Sequence, residues 1–508
     1  MLFKDIRVFV LLLFVIFASG FSTLIAQDDQ SEEMTEIPAE EKNVTSHSIR
    51  VDGETIQYDA TAATKLIYDV EGNAIASWGY IAYTRTNGAD KSDRPVTFVF
   101  NGGPGSSSIW LHMGAVGPKR VVLDDPEFND SGYTLVDNEY SILDETDIVM
   151  VDPVGTGITR AVGKKKNSDF WGVEADISSI SNFINSYINE YDRWASPKFL
   201  LGESYGTFRS AGLAPYLQNT YGIALDGIVL VSNVLDLRTI TFGPEDDTSF
   251  ILFLPAYAAT AWYHEKVPNR PSELELFVDE ARSFAYGAYS SALMKGDELG
   301  TAERNQVLDR LVRFTGLKRE YLDRSNLRVT ASAFFKELLA EEEMYVGRLD
   351  SRYKGYSMDP LAKDAIYDPQ SAAISPPYQM AFMDYYHTEL GFGKDKQYNF
   401  SAYSLPGFNW NWTRNAQGTY FPSSPTTVQD LRQAMILNPK MKVMVQNGYY
   451  DLATPFSGTE YTFDHMNLPD DLKDNIELTY YEAGHMFYIN MPDMEKFRND
   501  TIRFITED

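Results

Sequence analysis

The chain has 508 residues, 44% of them hydrophobic, and its 72 acidic against 44 basic side chains leave a formal charge of −28. That balance opposes a polyanionic partner such as nucleic acid, while the length and apolar content suffice for one large domain with an insertion, or for two domains. Cysteine is absent, which excludes disulfides and a lipidated cysteine behind an export signal, and in an exported protein of this size points to the bacterial envelope or medium.

Residues 1–26 have the layout of an export signal: Lys4 and Arg7 precede an apolar run from Val8 to Ala18, and small and polar residues follow to Ala26. Cleavage near Ala26 and a periplasmic or secreted location are therefore expected. The competing reading is an uncleaved anchor, the one route to membrane contact, because Val8 to Ala26 is nearly long enough to span a bilayer. Ser19, Gly20, Ser22 and Thr23 weaken that span. Residues 27–46 are acidic and almost free of apolar side chains, which predicts a disordered spacer.

From Ser48 to Arg85 short alternating runs predict an antiparallel meander, with Asp52-Gly53 and Gly72-Asn73 at hairpin turns. A different rhythm follows. "PVTFVFNGGPG", "DIVMVDPVGTG", "KFLLGES" and "DGIVLVSN" are continuous apolar runs that end in loops, as expected of strands buried on both faces. Between the second and third, Val173, Ile177, Ile180, Ile184, Tyr187, Ile188 and Tyr191 recur at three- and four-residue steps, the apolar face of a helix. Strand, helix and strand in succession give crossover units and an α/β core. The alternation stops near Arg238 and resumes at "KVMVQNGYYD", so residues 47–238 and 436–508 are expected to form the core. Residues 239–435 are expected as a largely helical cap over the carboxyl ends of the strands, where α/β proteins hold ligands. The strand "IELTYY" and a helix in "DMEKFRNDTIRFITE" close the chain.

The segment "KFLLGESYGTFRS" places Ser204 between a strand and a helical run, the setting of a nucleophile elbow. A serine hydroxyl attacks only when a neighbouring base takes its proton, so a histidine and an acid to orient it are required. Of six histidines, His47, His112, His264, His387 and His465 do not directly follow a predicted strand, whereas His485 does; Asp451 lies just past the strand before that one. Ser204, Asp451, His485 is the chain order of α/β-hydrolase triads. A buried structural histidine and a turn-capping aspartate are the plain alternatives for the last two. The bend "FNGGPGSSS" offers backbone N–H groups for an oxyanion, or is a simple turn; no Gly-Lys-Ser/Thr follows to make it a phosphate cradle.

Together "NGGPGSSS", "GESYG", "NGYYDLATP" and "AGHM" resemble, in order, the four signature blocks of the serine carboxypeptidase family. The resemblance implies an α/β-hydrolase fold, with a central mostly parallel sheet and a helical cap. It also implies removal of C-terminal residues from peptides through an acyl-enzyme, with no metal or organic cofactor. Carried onto this sequence, Ser204 is the nucleophile, His485 the base, Asp451 its orienter, and Gly103 and Tyr205 the oxyanion hole. Asn101, Gly102 and Glu203 match positions that bind the substrate's terminal carboxylate. Two positions depart from the pattern: Val99 stands in place of a tryptophan, and Ala115 in place of the glutamate that pairs with Glu203. The loss of that partner makes Lys119 and Arg120 the nearest candidate cations to compensate, the alternative being a solvated basic turn. An esterase or acyltransferase with the same triad, and a non-catalytic peptide-binding homologue, are the other readings.

Overall fold

Asp52 and Gly53 both take positive φ, 48° and 83°. That is the geometry of a two-residue turn whose twist matches the strands it joins, and it closes β1 (Lys42–Val51) onto β2 (Glu54–Tyr68), with Val51 opposite Glu54. A second turn, in which Asp69 Oδ1 accepts from the N–H of Asn73, leads into β3 (Ala74–Arg85). The computed structural model describes residues 35–128, 132–414 and 424–507.

The meander starts earlier than the sequence suggests. Residues 42–46, assigned above to a disordered spacer, form the first half of β1, and Thr35 pairs with Gly163. Polar side chains at this sheet edge hide the strand, because its backbone bonds to β2 do not depend on apolar side chains. The export signal expected at residues 1–26 lies outside the described residues. No helix among the described residues is long and apolar enough to cross a membrane.

β3 pairs antiparallel with β5 (Asp147–Val151), and from there the sheet is parallel. Its order runs β5, β4 (Val96–Phe100), β6 (Lys198–Glu203), β7 (Gly227–Val231), β8 (Lys442–Gly448) and β9 (Ile476–Tyr481). Apart from the half-buried edge strand β9, these strands are buried on both faces, as their apolar runs require. Val99, Met150, Leu201 and Val229 face one apolar cluster; Phe98, Val149, Leu200 and Ile228 face the other.

Helix α1 (Val173–Glu190) buries Val173, Ile177, Ile180, Ile184, Tyr187 and Ile188 in the second cluster, beside α2 (Tyr205–Tyr221). After β7, the helices α3 (Thr248–Tyr263), α4 (Leu274–Phe284) and α5 (Thr301–Thr315) build a third cluster of their own. The later part of the expected cap instead rejoins the sheet. From α6 (Pro369–Thr388), Ile374, Tyr378, Phe382 and Tyr385 enter the first cluster. From α7 (Val428–Leu437), Val428, Leu431, Ala434 and Met435 enter the second, so the expected limit at residue 435 falls inside a sheet-covering helix. The closing helix, α8 (Met491–Thr506), adds Met494, Phe497 and Phe504 to the first.

Candidate active site

Ser204 is the single residue between β6 and α2, and it holds φ 59° and ψ −127°, a conformation that a side-chain-bearing residue adopts only when its surroundings force it. The forcing is visible in its neighbours. The Ser204 N–H is bonded to the Val231 carbonyl at 2.9 Å, and its own carbonyl accepts from the Thr207 N–H at 2.8 Å. A Cβ at Gly202 would lie 2.3 Å from the Gly206 oxygen, so β6 and α2 approach this closely only because glycine stands there.

His485 follows β9 and is fixed by its backbone on both sides. Its N–H donates to the Leu349 carbonyl at 2.6 Å, and its own carbonyl accepts from the Ser232 hydroxyl at 2.6 Å. The preceding Gly484 N–H is bonded to Asp350 Oδ2 at 2.9 Å. Asp350 is in turn paired with Arg352, which also reaches Asp125, the three side chains being largely shielded from solvent. The His485 ring meets Asp451, whose Oδ2 is 2.7 Å from Nδ1. Asp451 is itself held: Oδ1 accepts from the N–H groups of Ala453 and Thr454 at 2.7 and 2.9 Å, and the Thr454 hydroxyl lies 2.7 Å from Oδ2. Burial disfavours a charged ring at His485, but the Asp451 carboxylate, by charge and hydrogen bond, outweighs it, and Glu203 adds to the same effect. The imidazole is therefore raised above its ordinary range.

Ser204 and His485 line one cavity of about 400 Å³, together with Asn101, Gly102, Gly103, Glu203 and Tyr205. The loop after β4 abuts the elbow. A Cβ at Gly102 would lie 2.4 Å from the Tyr205 nitrogen, a contact that places the glycine-rich bend against the first N–H of α2.

Glu203 is buried, and burial pushes its carboxyl up to about 7; charge attraction to His485 and hydrogen bonds from Tyr488 and Asn101 oppose that rise, and Asp451 adds to it. The Tyr488 hydroxyl donates to Glu203 Oε2 at 2.6 Å. Asn101 fixes its Oδ1 on the Leu111 N–H at 3.1 Å. Its Nδ2 comes near enough to Glu203 to favour the ionised form, yet makes no well-formed hydrogen bond among the described residues. Ala115 is buried in the turn His112–Val116. In that turn a Cβ at Gly114 would lie 2.2 Å from the Tyr378 hydroxyl and 2.8 Å from the Tyr488 ring. Tyr488 thus touches both Glu203 and the turn that carries Ala115.

The two candidate cations do not line the cavity. Lys119 is tied to Asp137 at 2.9 Å and Glu389 at 3.3 Å, and Arg120 lies 4.0 Å from Glu139 and over the Tyr140 ring. Both sit on the strand that leads away from the turn at Ala115, and acidic neighbours there neutralise them. The cation that does line the cavity is Arg348. Neither it, Tyr488 nor Asp350 stands out in the sequence. Tyr488 could have been noticed as an aromatic residue three places after His485, brought back by the turn Phe487–Ile489. Nothing local marks Arg348. Among the described residues no cluster of His, Asp and Glu is arranged to hold a metal ion.

A family model described as "Serine carboxypeptidase" matches residues 69–219, a stretch that contains the glycine-rich bend and Ser204 but not Asp451 or His485. Two curated relatives from Arabidopsis thaliana are similar over part of their length. Serine carboxypeptidase-like 33 is 33% identical over 128 residues, 24% of this chain and 25% of that protein. Serine carboxypeptidase-like 36 is 31% identical over 116 residues, 22% of each. The matched stretch thus spans about a quarter of the curated relatives. Among solved structures, a prohormone-processing carboxypeptidase from Saccharomyces cerevisiae superposes with a TM-score of 0.52 at 16% identity, covering 89% of this chain and 92% of its own. A parallel sheet with an elbow at the end of β6, a fold shared along nearly the whole chain, and a family match through the elbow lead to one conclusion: the chain has the α/β-hydrolase fold, and its residues 69–219 are similar to the serine carboxypeptidase family.

Proposed function

We propose that the protein is a serine carboxypeptidase that removes residues from the C-termini of peptides. The observation that carries the reading is the buried 2.7 Å pairing of Asp451 with His485 in the cavity onto which the Ser204 elbow opens. In this reading the imidazole, oriented through Nδ1 by Asp451, takes the Ser204 proton on Nε2 as the hydroxyl oxygen attacks the scissile carbonyl. The Gly103 and Tyr205 N–H groups receive the developing oxyanion. Collapse of the tetrahedral species expels the terminal residue as its amine, protonated by His485, and leaves an ester on Ser204. Water, deprotonated by the same ring, then hydrolyses that ester. Asn101, Gly102 and Glu203 flank the place where the terminal carboxylate would rest. Export through the signal at residues 1–26 to the periplasm or medium belongs to the same proposal, and it would bring the acidic protein into contact with peptides.

The test is digestion of a peptide library by the purified protein, read by mass, alongside labelling by a fluorophosphonate. Ladders shortened from the C-terminus and labelling at Ser204 are expected. Internal cuts, or N-terminal ladders, would overturn the direction. An esterase or acyltransferase with the same triad is favoured by one observation, the phenol of Tyr488 in place of a carboxyl partner for Glu203. It would appear as turnover of esters without turnover of peptides.

A further inference from the structure

Within the cavity that holds Ser204, three lining side chains can carry charge: Glu203, His485 and Arg348. Glu203 and His485 are buried, whereas Arg348 is an exposed guanidinium. Its guanidinium makes no hydrogen bond or ion pair among the described residues. The neighbouring Arg352, by contrast, is saturated by Asp350 and Asp125. In a chain with a formal charge of −28, it is an uncompensated guanidinium at the wall of the cavity that Ser204 also lines.

Its backbone is fixed as firmly as that of a catalytic group. The Arg348 and Leu349 N–H groups both donate to Asp368 Oδ2, at 2.5 and 3.1 Å, and Asp368 Oδ1 caps α6 by accepting from the Ser371 N–H at 2.7 Å. The Arg348 carbonyl accepts from Leu452 at 3.1 Å, and that of Leu349 from His485 at 2.6 Å. Arg348 is thereby held between the base and the first turn of α6, whose Ser371, Ile374 and Ser375 line the same cavity. Its charge reaches both His485 and Tyr403.

The polar groups near Glu203 leave a deficit of positive charge. Ala115 brings no acid to share a proton, Tyr488 has already given its hydrogen to Oε2, and Asn101 Nδ2 is a neutral donor. A carboxylate that enters this cavity meets a partly ionised Glu203 and needs a cation to offset it. An arginine fork can bind a carboxylate through two parallel hydrogen bonds.

We propose that Arg348 determines specificity for substrates with a free C-terminal carboxylate by pairing with that group, in place of the missing acid at position 115. This rests on the carboxypeptidase reading above. The test uses four matched peptides, ending in leucine or glutamate and each as the free acid or the amide, with the ratio of kcat/KM for acid over amide as the readout. Wild type is expected to favour the acids for both residues. Arg348→Ala should lower that ratio about 10- to 100-fold, mostly through KM, as expected for loss of a charge-assisted bond. Arg348→Lys should keep part of the preference, and Arg348→Glu should bring the ratio below one. Three results would overturn the proposal: an unchanged ratio in Arg348→Ala, a loss that follows the glutamate side chain rather than the terminal group, or a wild type that cuts acids and amides alike. Failure of the underlying reading looks different, because a wild type labelled by fluorophosphonate would then shorten none of the four peptides.

Discussion

Tyr488 donates its phenolic hydrogen to Glu203 at 2.6 Å, in a buried pocket beside Ser204. A pair of carboxyls in that place would share one proton, because neighbouring like charges resist ionising together. A phenol that burial and Glu203 hold protonated has no proton to share, and it stabilises the ionised carboxyl instead. Glu203 therefore titrates near neutrality chiefly through burial, with a lesser addition from Asp451, and not through a proton shared with a paired acid.

Removal of that hydrogen bond should raise Glu203 further. In Tyr488→Phe the alkaline fall of kcat/KM on a free-acid peptide is expected to move up by about one to two units, the worth of one hydrogen bond to a charged group. Glu203→Gln should remove the part of that limb due to the carboxylate while leaving the acid limb set by His485. Superimposable pH profiles for wild type and Glu203→Gln would dissociate Glu203 from carboxylate recognition. The two groups interact by charge, so the limbs report the pair and not each residue alone.

The same shift has a sign for stability. Glu203 rises from 4.5 to about 7 on folding, so between those values the native state binds more protons than the unfolded chain. Its contribution is therefore present at low pH and is lost as pH rises through 7. Relative to Glu203→Gln, wild type should lose on the order of 3 kcal/mol between pH 4 and pH 8, an upper figure for a fully buried group. Urea melts of both proteins at the two pH values would check this, and a constant difference between them would contradict it.

Ser204→Ala should abolish peptide turnover and fluorophosphonate labelling without unfolding the protein, and His485→Ala should be nearly as severe. Asp451→Asn should cost less than either. The losses are not expected to add, because the three groups act as a unit. Residual turnover close to wild type in Ser204→Ala would move the chemistry elsewhere.

Arg352→Leu leaves Asp350 and Asp125 largely shielded from solvent without their cation. Loss of one partner from a buried ion pair typically costs about 3–5 kcal/mol, and Asp350 also holds the Gly484 N–H beside the base. A large fall in the urea midpoint is expected, with a lowered kcat in the fraction that remains folded.

The parts legible in the sequence were those fixed by local chemistry. Asp52-Gly53 named its turn, the apolar runs named the buried strands, and the strand and helix around Ser204 named the elbow. The beginning of β1 was not legible, because residues 42–46 pair through backbone groups while their side chains look like a solvated linker. Tyr488 and Arg348 escaped for another reason. Each reaches the site through a contact between segments distant in the chain, Tyr488 with Glu203 and Leu349 with His485, and no spacing rule encodes such a meeting. Lys119 and Arg120 were near Ala115 in sequence, but their own acidic neighbours claimed them.

The left-handed φ of Ser204 sets the nucleophile against the durability of the molecule that carries it. A non-glycine residue held there costs on the order of 1 kcal/mol or more, a penalty that Ser204→Ala retains and Ser204→Gly relieves. Elsewhere alanine is the more stabilising of the two, since glycine loses more freedom on folding. At position 204 the order should reverse, with the glycine variant the last to melt. Selection for heat resistance alone would then drive this chain toward an inert form, and only selection for turnover keeps a serine at the bend.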